Sequence, residues 1–166
     1  FRDKSFGLLF SSSVFQWLND LESVFSDVSR ILQPGGRFVF AMYGQGTLRE
    51  LRAAHRQALE ETGRADRFYM HTFPDEQQVG SALQGAGLKV ERLFSVDEIE
   101  RHADVASLLQ GLKKIGAQNA ASSRPSGLPP RRVMLRLIDV YTRTFGKNGF
   151  IPATYHVIYA SARREA

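Results

Sequence analysis

The sequence predicts an α/β fold, and three observations carry that prediction. The first 63 residues alternate strand, helix, strand, helix through short connections, the pattern of a parallel sheet with right-handed crossovers. Both early strands are almost continuously apolar, as strands covered on two faces are. A β-rich stretch, Thr154 to Ala162, returns late in the chain after a helical middle.

Phe6 to Phe10 (FGLLF) is the first strand, closed by Ser11-Ser12-Ser13. Asn19 to Leu32 reads as a helix because Leu21, Val24, Phe25, Val28, Ile31 and Leu32 share one stripe. Asn19 with Glu22 forms a capping box, and Pro34-Gly35-Gly36 stops the helix. Arg37 to Tyr43 supplies the second strand. Thr47 with Glu50 caps a second helix that carries Leu48, Leu51, Ala58 and Leu59 and ends at Gly63. Asp75 to Leu83 is a shorter helix ended by the glycines at 85 and 87, and Leu88 to Val96 is a strand. Asp104 caps a helix with Val105, Leu108, Leu109, Leu112 and Ile115 inside and Gly116 as its C′ residue. Ala117 to Pro130, rich in Ser, Asn, Gly and Pro, is a loop inserted into one domain rather than a boundary between two. Pro130 takes the first position of a helix whose stripe is Val133, Leu137, Ile138, Tyr141 and Phe145.

Composition narrows the function classes. With 166 residues, 43% hydrophobic and 23% charged, the chain is globular, not a disordered tail or a collagen-like repeat. No apolar run reaches the ~20 residues that a membrane-spanning helix needs. The absence of cysteine excludes a disulfide scaffold, a zinc–thiolate site and an iron–sulfur cluster. His55, His71, His102 and His156 lack metal-ligand spacing, so no metal is expected. No signal peptide is read, which makes the cytoplasm the expected compartment. The net charge of +5 suits a small acidic protein or an anionic metabolite. The cations cluster only as the pairs Lys113-Lys114, Arg131-Arg132 and Arg163-Arg164, without an RNA-binding aromatic motif, so no nucleic acid is expected.

In an open α/β sheet, ligands bind beyond the carboxyl ends of the strands. That rule selects Ser11-Ser12-Ser13 through Trp17, and Tyr43-Gly44-Gln45-Gly46-Thr47. The Gly-Gln-Gly turn can bring backbone amides to an anion, but it lacks the third glycine and the following acid of a dinucleotide fingerprint. An ordinary strand-to-helix turn is the favoured reading. The serines lack the glycine flanks of a nucleophile elbow, and no catalytic residue is assigned. Arg67, beside Phe68 and Tyr69, suits either a bidentate grip on a carboxylate or a solvated loop position.

Beyond these patterns, Phe1 to Phe10 followed by Ser11 resembles the stretch around the fourth strand of class I S-adenosylmethionine-dependent methyltransferases. Leu32-Gln33-Pro34-Gly35-Gly36-Arg37-Phe38 is similar to the turn leading to their fifth strand. Five further segments resemble the malonyl-acyl-carrier-protein O-methyltransferases of biotin synthesis. They are Phe15-Gln16-Trp17, Gly46-Thr47-Leu48-Arg49-Glu50-Leu51, Asp66-Arg67-Phe68, the run from Leu112 to Asn119, and Pro152-Ala153-Thr154-Tyr155-His156. Mitochondrial complex I assembly proteins of hydroxylase type share parts of the pattern. Gly7 departs from it, standing where the family usually has Asp.

The resemblance implies the C-terminal half of a Rossmann-like class I methyltransferase sheet, from the fourth strand onward, with helical lid insertions. It implies one partial domain over 1–166: strand-helix-strand-helix over 1–63, a substrate-side lid over 64–150 and the last strand over 151–166. The family's front half, with its glycine-rich loop and ribose-binding acid, is expected outside these residues. S-adenosylmethionine is then bound mainly there, and the 166 residues alone are expected to be inactive. The implied activity is methylation of the free carboxyl of a malonyl thioester on acyl carrier protein, an acidic partner. The implied substrate-binding residues are Arg67, Gln16, Trp17, Lys113 and Tyr155, and the cofactor-binding ones Phe1, Ser11, Ser12 and Ser13. The other function left open is an assembly or binding protein on the same fold. An uncovered apolar edge over residues 5–17 also leads to the expectation of a homo-oligomer through that edge.

Overall fold

The computed structural model describes residues 1–64, 72–114 and 130–165. The Asp66-Arg67-Phe68 motif, Gly116 and nearly all of the expected loop lie outside the described residues. The strands are β1 (Phe6–Ser12), β2 (Leu32–Tyr43), β3 (Leu88–His102) and β4 (Ile151–Arg164). The helices are α1 (Leu21–Ile31), α2 (Arg49–Glu61), α3 (Glu76–Gly85), α4 (Val105–Lys114) and α5 (Arg131–Phe145). The sheet order is β1-β2-β4-β3. β1 and β2 are parallel, with Leu9 opposite Phe38 and Ser11 opposite Phe40, as a crossover through α1 dictates. β4 is antiparallel to β2, pairing Ala160 with Phe40, so the sheet is mixed rather than wholly parallel.

The chain forms two compact units. The first comprises Phe1–Thr47, Phe73–Asp97 and His156–Ala166. Here Phe25 and Val28 of α1 and Val79, Ala82 and Leu83 of α3 join Phe38, Phe40, Met42, Ile158 and Ala160 of the sheet in one core. The rings of Phe15, Phe25, Phe38 and Phe40 meet within it at centroid distances of 4.7 to 5.6 Å. α1 is capped by Asp20, whose Oδ1 accepts from Ser23 N at 2.9 Å, and not by Asn19. A carboxylate suits the positive end of a helix better than a neutral amide does. Leu32 is already extended at the end of α1, so β2 begins there and contains Pro34-Gly35-Gly36. These residues form an irregularity within β2 rather than a helix stop, because the β1–β2 register shifts between Phe6 and Leu8. A Cβ on Gly36 would lie 3.1 Å from the Phe6 carbonyl oxygen, which leaves little room for a side chain. α3 carries a full capping box between Asp75 and Gln78.

The second unit comprises Leu48–Thr72 and Glu98–Tyr155, so α2 belongs with α4 and α5. Leu51, Ala54 and Ala58 of α2 pack with Val105 and Leu108 of α4 and Leu137, Val140 and Tyr141 of α5. Pro130 precedes α5 as its N-cap instead of opening it, with ψ at 137°. α5 leads into a turn at Lys147–Phe150, where Asn148 and Gly149 both take positive φ. Among the described residues no helix is long and apolar enough to cross a membrane.

Candidate functional site

Because β1 and β2 are parallel, their carboxyl ends open on the same side of the sheet. Ser13 N still donates to Ala41 O at 2.9 Å. Its φ of 56° then turns the chain off the sheet and into the 3-10 turn Phe15–Trp17. That turn sends Phe15 and Gln16 inward; Gln16 is only 1% exposed. Trp17 stays half-buried with its ring edge-on to Phe73 at 5.8 Å. Tyr43, the last residue of β2, tilts against the same Phe73 at 6.4 Å. Three aromatic rings and the exposed hydroxyls of Ser12 and Ser13 thus gather where the fold places ligands.

The Gly-Gln-Gly turn after β2 has a different role. A Cβ on Gly44 would come within 2.8 Å of His156 Cδ2, and one on Gly46 within 3.0 Å of His156 Cβ. The His156 and Ile158 side chains pack against these glycines, and the amides of Gly44, Gln45 and Thr47 already donate to backbone carbonyls, so the turn seats a histidine rather than an anion. Gly44 N donates to His156 O at 2.8 Å, and Thr47 Oγ1 both donates to that carbonyl and accepts from His156 N at 3.1 Å. His156 Nδ1 in turn lies 2.7 Å from Asp97 Oδ1. Thr47 therefore does not cap α2, whose N-cap is Leu48 in the left-handed region. Glu50, its expected capping partner, is buried and accepts from Thr154 N at 3.1 Å and Thr154 Oγ1 at 2.5 Å. Burial, reinforced by the Glu50 charge, pushes the Tyr141 hydroxyl well above the ordinary tyrosine range, and that hydroxyl donates to Pro152 O at 2.7 Å.

Of the residues singled out from sequence, the structure gathers Ser11, Ser12, Ser13, Gln16 and Trp17 at one strand end. Phe1 is not with them. It sits at the opposite, amino end of β1, 93% exposed, with its ring edge-on to Phe6 and its carbonyl accepting from Arg30. Lys113 is exposed at the end of α4, and Tyr155 packs at the border of the second core. Arg67 lies outside the described residues. Phe73 and the His156–Asp97 pair were not found from sequence. Phe73 directly precedes the Pro74-Asp75 helix start, but no local spacing links it to Trp17 or Tyr43.

A family profile described as a methyltransferase domain matches residues 1–40. A candidate methyltransferase from Bacillus halodurans superposes with a TM-score of 0.59 at 15% identity, covering 100% of this chain and 67% of that one. The YcgJ protein of Bacillus subtilis superposes with a TM-score of 0.57 at 12% identity, over the same shares of both chains. The fold is that of a class I methyltransferase. In sequence, the chain is 41% identical over 163 residues to the malonyl-[acyl-carrier protein] O-methyltransferase of Geobacter sulfurreducens, covering 98% of this chain and 61% of that protein. Proteins of the same name from Methylovorus and Nitrosospira multiformis are 38% and 34% identical over 95% and 99% of this chain, each covered to 51%. The chain therefore spans roughly half to three fifths of the length of these relatives. It resembles the malonyl-acyl-carrier-protein methyltransferases from end to end.

Proposed function

We propose that the protein is an S-adenosylmethionine-dependent O-methyltransferase. Its substrate is the free carboxyl group of a malonyl thioester on acyl carrier protein, for biotin synthesis. One observation carries this reading: the 41% identity to a protein of that name along 98% of the chain, on a methyltransferase fold. The same observation favours it over an assembly protein.

The groups at the carboxyl ends of β1 and β2 fit the cofactor. A sulfonium cation is favoured by aromatic faces, and serine hydroxyls both donate and accept hydrogen bonds. Ser12, Ser13, Trp17 and Tyr43 would hold it, with Ser11 assigned to it on resemblance alone, whereas Phe1, at the amino end of β1, is left out of this site. The curated relatives are longer than this chain, and we assign the remaining cofactor contacts to the part they have beyond the match. When bound, S-adenosylmethionine supplies an electrophilic methyl group.

A malonyl carboxylate is ionised at neutral pH, so no residue has to remove a proton. What remains for the chain is to hold one carboxylate oxygen in line and to keep water away. We assign the grip to Arg67 and the exclusion of water to Gln16, Trp17, Phe73 and Tyr43. Lys113 and Tyr155 are substrate residues of the second unit. The test incubates the whole protein with S-adenosylmethionine and either malonyl- or acetyl-acyl carrier protein. A one-methyl mass gain on the malonyl form alone is expected; a gain on neither, or on both, overturns the reading.

A further inference from the structure

We propose that the outer face of α5 is the surface on which the acidic carrier protein docks, an inference that rests on the functional reading above. Residues 131–147 hold Arg131, Arg132, Arg136, Arg143 and Lys147 against Asp139 alone, which is four of the five excess positive charges of the chain. The inner face of α5 is committed, since Val133, Leu137, Val140 and Tyr141 are buried in the second core. Arg132, Arg136 and Arg143 therefore share the outward stripe, spaced by four and seven residues.

Several other basic groups are engaged elsewhere. Arg164 Nη1 donates to the carbonyls of Ser29, Arg30 and Leu32, closing the end of α1. Arg30 pairs with Asp3 and Asp27, and Arg37 with Glu91. Lys113 and Lys114 close α4, where cations complement the helix dipole. On α5, Arg136 is held between Glu61 and Asp139 and serves as a fixed wall. Arg131, Arg132 and Lys147 make no ion pair among the described residues.

The face is also shaped. A hollow of about 620 Å³ is lined by Glu61, Thr62, Arg132, Leu135, Arg136 and Asp139. Leu135, part of its lining, is 56% exposed. The Glu61 and Asp139 carboxylates in the lining are taken up by Arg136. An amphipathic acidic helix then fits the face, with one apolar side chain over Leu135 and its carboxylates against Arg131, Arg132 and Arg143. Among macromolecular partners, an acyl carrier protein is the one that the relatives' names contain.

The test compares the whole protein with its Arg131→Glu/Arg132→Glu/Arg143→Glu variant, using malonyl-acyl carrier protein and malonyl-coenzyme A. The ratio of kcat/KM for the first over the second should fall about tenfold at low salt, through KM, and the difference should shrink at high salt. An unchanged ratio overturns the docking surface. If reversal lowers both activities together, the glutamine triple variant decides, since neutralisation must still lower the ratio. If the wild type methylates neither thioester, the functional reading fails by itself, and titration with carrier protein then tests the surface. Binding that reversal abolishes keeps the surface; absence of binding, or preference for a tRNA competitor, overturns it.

Discussion

A guanidinium facing a carboxylate holds it through charge-assisted hydrogen bonds, and we assign that grip to Arg67. Arg67→Ala should lower kcat/KM for the malonyl substrate about 30- to 150-fold, a loss of about 2–3 kcal/mol, while S-adenosylmethionine affinity stays nearly constant. Calorimetry of cofactor binding beside steady-state kinetics separates the two, and loss of cofactor binding would remove Arg67 from this role. Glu50 makes a structural case at the same scale. It is 7% exposed and accepts from both the amide and the hydroxyl of Thr154. Glu50→Ala strands those donors and should cost about 2–3 kcal/mol in chemical denaturation, whereas Glu50→Gln keeps one acceptor and should cost less. Equal losses would shift the explanation from hydrogen bonding to charge. His55 supplies a pH dependence, because burial holds its pKa below the ordinary value of 6.5. The unfolded chain then binds the proton more readily, so stability is full above pH 6.5 and is lost as the pH falls below it. Tm should fall less steeply between about pH 7 and 5 in His55→Gln than in the wild type. Residue-level partners were the least legible part of the sequence. Thr47 and Glu50 have capping-box spacing, yet both bond to β4 residues about a hundred positions away. Spacing reveals neighbours along the chain, not across the sheet.

At the scale of elements, the helices were readable because their stripes repeat with the helical period and commit one face to a core. α1 shows this most clearly: Phe25 is fully buried among Phe15, Phe38 and Phe40. Phe25→Ala removes three ring contacts and leaves a cavity that α1 cannot collapse into. It should cost about 3–5 kcal/mol, whereas the exposed Phe10→Ala should cost under about 0.5 kcal/mol. Similar losses in urea titrations of both variants would contradict the placement of α1 over the sheet. Strand ends were less legible. β2 starts at Leu32 and β3 runs on to His102, well outside the apolar runs that marked them, because pairing extends a strand through residues without strand propensity. Pro34-Gly35-Gly36 has the composition of a helix stop; only the register with β1 shows it to be an irregularity within a strand.

At the scale of the molecule, the alternation of elements announced an α/β sheet, and short segments such as Phe15-Gln16-Trp17 pointed to the methyltransferases. The division into two units was not legible, since β3 and β4 each cross from one unit to the other without any break in composition. The aromatic gathering of Trp17, Tyr43 and Phe73 also depended on the fold, which brings together three residues that share no periodic pattern. The central claim is that the methyl acceptor is a carboxylate oxygen, held in line without a base. It is tested most directly by the chemical form of the transferred methyl. The whole protein is given S-adenosylmethionine with a labelled methyl and malonyl-acyl carrier protein, and the product is treated with mild alkali. An oxygen ester releases the label as methanol, and that is the result this account predicts. Label retained on the acyl chain or on the protein after alkali would place the methyl on carbon or nitrogen and contradict it.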